Sequence, residues 1–525
     1  MQKKDLAALC ENGALERLDV DARRKALLAD PTPANLALTG EALFLRGQWL
    51  DALRLALEVV NANRSNTPLV MVAAGMISKH TPCHDIVITL MRNVLLHEPD
   101  HLQARLTLAD ELVAQGDIAE GCRLYRDIMS SHPEEGGSLC EHISMSLLET
   151  GYAIEGLQIL SSWLEHMPET VALLNNMACA LERTGHSEMA VSWYKKALEM
   201  APNEPIIRFG YAIALLKAGH FREGGKYYTE RTPLTNGIVW WFMSLPRLRH
   251  GDDIAGKKIV LYQEQGLGDT IQFIRFVPYL LEKGAEITIA TLPPLVRLLT
   301  LSFPDVTVTQ LTHFDRAEGY SYAVPIPDLP FVADIGCESD IPARIPYLRA
   351  DEGDVQKFAA MLPARRPRIG LVWAGERRMQ AEFVAADKRR SATLADMGAA
   401  LTPVDATLIN LQFGAPCQEI TAWQGQPLFD PMGEVRDMAD TLALMESLDL
   451  IISVDTSPVH LAGAIGRPVW LVSRWDACWR WGDEGETSAW YPSVRIFRAR
   501  ERSFVPVLKE VGAALQQWVK DWKPD

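Results

Sequence analysis

The chain has 525 residues, of which 48% are hydrophobic and 23% charged, and its formal net charge at pH 7 is −15. This length allows two or three domains with ample cores, and the acidic balance excludes a broad nucleic-acid-binding surface. No stretch reads as a signal peptide or is apolar over enough length to span a membrane, so a cytoplasmic protein is expected. The eight cysteines lie far apart without a C-x-x-C pair, which predicts reduced, buried thiols.

A repeat with a period of 34 or 35 residues runs through the first half of the chain. Two helices cross closely only where side chains are small, and a glycine commonly ends the first of them. The pattern therefore predicts stacked helical hairpins over residues 1–232, with tyrosines in the grooves between helices. The residues that keep this period are Gly116, Gly151, Gly185 and Gly219, the small residues five positions later, Gly121, Gly156, Ala190 and Gly224, and the tyrosines Tyr125, Tyr194 and Tyr228.

The stretch LLNNMACALERTGHSEMAVSWYKKALEMAP, from Leu173 to Pro202, resembles the tetratricopeptide repeat (TPR) family. The resemblance covers residues 33–230, with one degenerate repeat at 65–98. It implies a superhelix, and the concave face of such a solenoid commonly binds a peptide or a partner protein. The alternative for this half is a passive spacer or a dimerisation arm.

Strand patterns alternate with helix patterns in the second half, in two successive series. Such alternation predicts parallel sheets, with ligands bound in a cleft at the carboxyl ends of the strands. The predicted fold class is thus α + α/β, an α-solenoid followed by two doubly wound domains. The predicted boundaries are a linker at 233–256, the first domain at 257–362, the second at 363–500, and a final helix at 501–525 that packs back on the core.

The loop Gly266-Leu267-Gly268-Asp269 follows the first predicted strand, Lys257–Gln265, and precedes an amphipathic helix pattern over Thr270–Gly284. Its glycines permit a tight turn and a close approach to a ligand. Asp269 has two interpretations. It is either the N-cap of the helix or a general base that faces the cleft.

A basic loop, Trp373–Ser391, follows the first strand of the second series. Clustered cations over a cleft could hold a phosphate or a diphosphate. The alternative is a solvated surface run with Asp387 as an ionic partner. The cations are Arg377, Arg378, Lys388, Arg389 and Arg390.

An apolar strand pattern, Leu448–Val454, ends at Asp455 and runs directly into a helix pattern. We expect Ser457 to cap this helix, Pro458 to take its first position and His460 to lie in its first turn. The free amides and the dipole of such a helix start favour an anion. The alternative is a well-capped helix with a satisfied histidine.

Four tryptophans crowd the segment Arg474–Arg498, which is more than ordinary usage predicts. Packing of the core against the final helix is the expected role. Stacking on a base or a sugar is the alternative.

Together these stretches resemble bacterial TPR-containing glycosyltransferases, whose catalytic region is similar to ADP-heptose heptosyltransferases and, more distantly, to O-linked N-acetylglucosamine transferases. The resemblance covers residues 225–500 and implies the GT-B fold. The stretches that carry it are EQGLGDTIQFIRFVP, RIGLVWAG, DKRRS, NLQ, DLIISVDTSPVHLAGAIGRPVW and WYPSVRIFR.

The resemblance also implies roles for individual residues. Asp269 would be the catalytic base, and a nucleotide-sugar would be the donor substrate. No metal-ligand cluster is visible in the sequence, so we expect a metal-independent transfer without a further cofactor. The family pattern has a glycine after D-T where this chain has Ser457-Pro458, which puts a heptose donor in doubt. The implied donor-binding residues are Gly266, Gly268, Gln272, Trp373, Gly375, Lys388, Arg390, Ser391, Gln412, Asp455, Thr456, Ser457 and His460.

Fusion to a TPR array suggests a protein acceptor, and relatives of this kind include enzymes that modify flagellin. The expected function is therefore sugar transfer to a Ser or Thr hydroxyl of a protein held by the TPR region, with flagellin as the suspected acceptor. One alternative is transfer to a lipopolysaccharide or capsule precursor. Another is a TPR scaffold with a degenerate transferase domain. Neither a nucleic-acid partner nor a membrane span is expected.

Overall fold

A computed structural model describes residues 19–164, 168–232, 239–314, 319–376 and 387–524. The chain divides into two compact units after Pro168, inside the predicted solenoid. The described part of the first unit is all helical. Its helices are α1 (Val20–Ala29), α2 (Pro33–Leu45), α3 (Trp49–Ala62), α4 (Thr67–His80), α5 (His84–His97), α6 (Leu102–Gln115), α7 (Ile118–Ser131), α8 (Gly136–Thr150) and α9 (Ala153–Leu164).

The helices of the first unit form the predicted hairpins, including one hairpin in the degenerate repeat. Gly116 and Gly151 end α6 and α8 in the left-handed region, with φ of 112° and 89°. A Cβ on Gly121 would lie 2.5 Å from Cγ2 of Val113, so only glycine allows α6 and α7 to cross this closely. The predicted roles of these glycines are confirmed.

Histidine–carboxylate pairs link successive hairpins of the first unit. Nε2 of His80 lies 2.8 Å from Glu41, and Nε2 of His142 lies 2.9 Å from Asp110. These side chains remain partly open to solvent, with His142 44% exposed. Polar contacts between neighbouring repeats thus supplement the apolar core of this unit.

The second unit begins with two further hairpins and continues into the α/β region. The hairpin helices are α10 (Val171–Arg183), α11 (Ser187–Met200), α12 (Pro205–Lys217) and α13 (Phe221–Tyr228). Tyr194 fills the groove beside Gly210, where a Cβ would lie 2.4 Å from the phenolic oxygen. The turn glycines Gly185 and Gly219 again have positive φ, so the repeat is kept.

Buried polar contacts join α10–α13 to the α/β region. The Ser187 backbone N–H and hydroxyl donate to the Asp483 carboxylate at 2.9 and 3.0 Å, at the start of α11. Beyond α13, Arg231 contacts Glu264 at 2.7 Å and Asp328 at 2.6 Å, and all three side chains are at least 94% buried. These two hairpins are therefore structural parts of the same body as the sheets.

Two parallel sheets form the α/β region. Their strand orders are β3-β2-β1-β4 and β10-β9-β8-β5-β6-β7, so the order reverses beside β1 in one and beside β5 in the other. Ligands bind at such reversal points, at the carboxyl ends of the strands. The strands are β1 (Lys258–Tyr262), β2 (Glu286–Thr291), β3 (Thr307–Gln310), β4 (Tyr322–Pro325), β5 (Arg368–Val372), β6 (Thr407–Asn410), β7 (Leu428–Phe429), β8 (Leu450–Val454), β9 (Val469–Ser473) and β10 (Val494–Arg498).

Helices flank these strands, and the predicted fold class, helical repeats followed by two doubly wound domains, is confirmed. The final helix packs back on the second domain, since a Cβ on Gly512 would lie 2.1 Å from the Ala400 carbonyl oxygen. The helices are α14 (Leu267–Phe273), α15 (Val277–Glu282), α16 (Pro293–Ser302), α17 (Leu329–Val332), α18 (Glu352–Met361), α19 (Leu394–Leu401), α20 (Met438–Met445), α21 (Ser457–Ala464) and α22 (Val505–Asp521).

Two details differ from the sequence patterns. The helix predicted over Thr270–Gly284 is broken, because a 3-10 turn at Ile274–Phe276 separates α14 from α15. Pro278 lies in the first turn of α15 and has no N–H for the carbonyl four residues earlier, so it favours a helix start here. The strands β4, β7 and β10 lie outside the predicted strand patterns.

The cysteines and the helix lengths bear on two other expectations. The seven cysteines of the described ranges carry free thiols, but only Cys122 and Cys140 are buried as predicted. Cys337 is exposed, and Cys83, Cys179, Cys417 and Cys478 are partly exposed. Cys10 lies outside the described residues. Within the described ranges, every helix is too short or too polar to cross a bilayer.

Candidate active site

Two strand–turn–helix units meet in the second unit, one from each sheet. The turn after β1 leads into α14, and the turn after β8 leads into α21. A Cβ on Gly268 would lie 2.8 Å from Cδ2 of His460 and 3.5 Å from Cα of Ser457. The missing side chain of Gly268 therefore brings the two turns together, and both contain predicted site residues.

Asp269 lies in the first turn of α14 and does not cap it. The N-cap is Gly266, and the structure shows no side-chain hydrogen bond to the free amides of this helix. The carboxylate instead forms an ion pair with the guanidinium of Arg480, from the other domain. The interpretation of Asp269 as an N-cap is therefore wrong, and its side chain, 22% exposed, faces the junction between the domains.

Arg480 is a buried cation with aromatic neighbours. Its guanidinium carbon lies 5.2 Å from the ring centre of Phe273 and 4.8 Å from that of Trp479. Burial alone would lower the pKa of Arg480, but Asp269, Cys478 and Tyr228 together outweigh it, and the pKa lies above its ordinary value. Arg480 thus stays charged and holds Asp269 in place.

The turn between β8 and α21 is built differently from its prediction. The N-cap is Thr456 rather than Ser457, and no side chain caps the helix. The Thr456 hydroxyl donates to the Val454 carbonyl at 3.2 Å. Burial raises the pKa of Asp455, against the opposing effect of Arg474. The capping residue of α21 therefore makes no side-chain hydrogen bond to the first amides of the helix. Such free amides at a helix start favour the binding of an anion.

His460 is buried against aromatic rings. Its Nδ1 lies 3.1 Å from the Tyr491 hydroxyl, and its ring stacks on Trp481 with centroids 5.5 Å apart. Burial, then the charges of Arg480 and Arg275, lowers the pKa of His460 to about 3. The imidazole is therefore neutral throughout the physiological pH range.

A second group of predicted residues lies in the loop after β5. The Gly375 N–H donates to the Ser391 hydroxyl at 3.2 Å, and a Cβ on Gly375 would lie 2.7 Å from Nε of Arg390. Arg390 also forms a 3.2 Å ion pair with Asp387. This is the ionic partner expected if the basic loop is a solvated surface segment. Lys388 is exposed. Arg377 and Arg378 lie outside the described residues.

Gln412 and Trp373 are structural, which corrects their predicted contact with the donor. The Gln412 amide accepts from the backbone N–H groups of Trp373 and Ala374 at 3.1 and 2.8 Å, and it donates to the Ala374 and Phe413 carbonyls. It has no capacity left for a ligand. The Trp373 side chain is fully buried in the core of the second domain.

Gln272 is buried on α14, three residues after Asp269. Neither polar atom of its amide has a hydrogen-bond partner among the residues that the structure describes. A buried amide without partners is costly, so this side chain is available for rearrangement or for a ligand.

The tryptophan-rich segment is mainly core, but only Trp475 packs next to the final helix as expected, on Phe504. Trp479, Trp481 and Trp490 are at least 95% buried in a different cluster, where Trp479 and Trp490 pack on Phe273 of α14. This segment also contains Arg480 and Tyr491, which the sequence interpretation missed. The only signal for them was their position among the tryptophans, and that pattern indicated packing.

The described residues hold no group of three or more His, Cys, Asp or Glu side chains arranged for a metal ion. Metal independence stays a prediction.

Known proteins match this chain at low identity. No family model matches it. Protein FlbA of Caulobacter vibrioides is 25% identical over 455 residues, which cover 81% of this chain and 74% of that protein. The E. coli ADP-heptose lps heptosyltransferase II structure is 17% identical, with a TM-score of 0.34, and covers 50% of this chain and 99% of its own. A thermophilic TPR protein of Thermus thermophilus is 20% identical, with a TM-score of 0.28, over 35% of this chain and 100% of its own.

Proposed function

We propose that this protein transfers a sugar from a nucleotide-sugar donor to a Ser or Thr hydroxyl of a protein acceptor. The observation that supports this most is the contact between two turns at the carboxyl ends of β1 and β8. It places a carboxylate, Asp269, beside a helix start that carries a neutral histidine, His460. Glycosyl transfer requires a base for the acceptor hydroxyl and a binding site for the leaving phosphate. This junction contains a candidate for each.

Asp269 would act as the general base. As the acceptor oxygen forms its bond to the anomeric carbon, the bond from that carbon to the leaving phosphate breaks, and the hydroxyl proton passes to Asp269. The buried guanidinium of Arg480 fixes the orientation of the carboxylate, whose exposed part remains open to an acceptor. Arg480 thus serves as a positioning residue for the base.

The leaving nucleotide would be stabilised by fixed donors on the second domain. The amides at the start of α21 and the imidazole of His460 are candidates, because they need no reorganisation as phosphate charge develops. Lys388, exposed in the loop after β5, would supply a further cation for the same phosphate. Arg390 would act mainly on the loop, since it already pairs with Asp387.

The acceptor would be bound by the helical hairpins. Stacked repeats present an extended surface suited to a polypeptide, and this supports a protein acceptor over a lipopolysaccharide or capsule precursor. Flagellin is the first acceptor to test. Proteins and lipid-linked saccharides differ in mass and solubility, so one mass-spectrometric assay separates the alternatives.

The decisive experiment compares Asp269→Asn with the wild type over a panel of nucleotide-sugars, by following transfer to flagellin with intact mass. Loss of the base should lower transfer by roughly 10²- to 10⁴-fold. Donor binding should stay nearly unchanged. Asp305→Asn, an exposed carboxylate of the same domain, is the matched control and should transfer at the wild-type rate.

Two results would contradict the proposal. If the wild type transfers no sugar from any donor in the panel, the chain is a scaffold with a degenerate transferase domain. If Asp269→Asn lowers the melting temperature but transfers normally, the carboxylate serves only the ion pair with Arg480. If the protein modified a lipopolysaccharide precursor and not flagellin, only the proposed identity of the acceptor would be wrong.

A further inference from the structure

His460 lies where the two turns of the candidate site meet and uses only one of its ring nitrogens in a hydrogen bond within the described residues. Nδ1 lies 3.1 Å from the Tyr491 hydroxyl, whereas Nε2 has no hydrogen-bond partner among the described residues. Nε2 faces the turn after β1, where a Cβ on Gly268 would lie 3.3 Å from it. The nitrogen that carries the ring proton therefore decides what His460 presents at this junction.

A chain of buried groups determines the direction of these hydrogen bonds. Arg275 donates to the Tyr347 hydroxyl at 3.1 Å, and guanidinium groups cannot accept. Tyr347 in turn lies 3.0 Å from the Ile271 carbonyl, which only accepts, so the Tyr347 proton is used there. Tyr491 is 3.5 Å from Tyr347, a longer contact than the one it makes to His460.

The Tyr491 proton consequently has its better acceptor in Nδ1 of His460. We propose that Tyr491 is a positioning residue that donates to Nδ1, fixes the ring proton on Nε2 and so makes His460 a neutral hydrogen-bond donor to a phosphate oxygen of the leaving nucleotide. This inference rests on the proposed function for the identity of the ligand. The tautomer itself does not depend on that function.

The two other forms of the ring fit the surroundings less well. A proton on Nδ1 would leave the Tyr491 hydroxyl only the 3.5 Å contact and would turn a bare acceptor, Nε2, toward an anion. A doubly protonated ring would add a third cation beside Arg480 and Arg275 in a buried space. Burial and these two arginines act together against that form.

The tautomer can be read directly in the full-length protein. A long-range ¹H–¹⁵N spectrum of the chain labelled with ¹⁵N-histidine contains twelve histidines, and loss of one signal in His460→Gln assigns position 460. We expect an unprotonated Nδ1 and a protonated Nε2, with no change between about pH 5 and pH 8. Protonation at Nδ1, or at both nitrogens, would overturn the proposal, whether or not the protein transfers a sugar.

Variants then test the use of this proton, with UDP, ADP, GDP and CMP as probes of binding. His460→Gln keeps an N–H near the position of Nε2, whereas His460→Asn moves it to the position of Nδ1. The Gln variant should bind the preferred nucleotide more tightly than the Asn variant. Equal affinities would contradict a role for Nε2.

Tyr491→Phe keeps the packed ring and removes only the hydroxyl. It should shift the Nδ1 resonance of His460 and weaken nucleotide binding by roughly three- to tenfold, the effect of one hydrogen bond. Tyr279→Phe, on α15 and outside this network, should change neither. An unchanged His460 signal in Tyr491→Phe would contradict the inference. Failure of the wild type to bind any of the nucleotides would instead defeat the proposed function and leave the tautomer result standing.

Discussion

The helical hairpins before Pro168 and those after it follow one sequence repeat but are held in different ways. In the first unit, polar links between repeats are partly exposed, such as the pair His142–Asp110. In and just after α10–α13, buried polar links run to the α/β region, such as Ser187–Asp483 and Arg231–Glu264, although the pair Arg222–Asp334 is exposed. The same repeat therefore builds a separate compact unit in one region and part of the α/β unit in the other.

Two truncations of the chain test this difference, and we expect them to have the largest effects. A chain that starts at Glu169 keeps Thr170, which caps α10, and keeps every contact of Arg231. A chain that starts after residue 232 removes Arg231 from the buried carboxylates of Glu264 and Asp328, of which Asp328 keeps its ion pair with Arg247. Loss of one partner of a buried ion pair costs roughly 3–5 kcal/mol, against a total stability of roughly 5–15 kcal/mol.

We therefore expect the longer chain to unfold cooperatively and to bind nucleotide, and the shorter one to aggregate or to lack a cooperative transition. Circular dichroism melts and nucleotide titration measure both. Under the proposed function, the chain from Glu169 should also lose modification of its protein acceptor. A stable, cooperative chain without residues 1–232 would show that α10–α13 are ordinary repeats after all.

A single substitution tests the same difference on a smaller scale. Arg231→Met should lower the free energy of unfolding by roughly 3–5 kcal/mol, because it removes one partner from the buried ion pairs with Glu264 and Asp328. The matched change in the first unit, Arg24→Met, breaks the exposed pair with Glu58 and should cost less than about 1 kcal/mol. Urea denaturation of both variants gives the comparison, and equal losses would refute it.

The smallest expected effect is the pH dependence of stability in the first unit. The hydrogen bond that Nε2 of His142 donates to the Asp110 carboxylate, opposed by burial, raises the pKa of His142 above its ordinary value of 6.5. The resulting stabilisation is complete below pH 6.5 and is lost as the pH rises through the folded-state pKa. Hydrogen exchange of α6 and α8 amides should therefore differ between the wild type and His142→Asn at about pH 6 and converge at about pH 9. A constant difference would exclude this linkage.

Much of the fold followed from local pattern. The turn glycines Gly116 and Gly151 signalled the hairpins because only glycine adopts their backbone conformation easily. Alternating strand and helix patterns signalled the parallel sheets. The break at Ile274–Phe276 was missed because the apolar period continues through it, although Pro278 marks the place.

The site was predictable only in part, since its pairs are remote in sequence. Asp269 and Arg480 are 211 residues apart, and no spacing rule connects them. Gln412 shows the converse problem, because the family resemblance implied a donor contact, whereas its side chain bonds the neighbouring loop. Local patterns located the turns, and tertiary packing decided which side chains face each other.

The contact between Asp483 and the start of α11 has a consequence for the order in which the protein folds during synthesis. The Ser187 N–H donates to the carboxylate of Asp483, which lies 296 residues later in the chain. At roughly 5–20 residues per second, the ribosome adds that stretch in roughly 15–60 s. During this interval the start of α11 lacks the Asp483 carboxylate, and its hairpin lacks the α/β region against which it packs. The last two hairpins therefore gain this contact only when nearly the whole protein has been made.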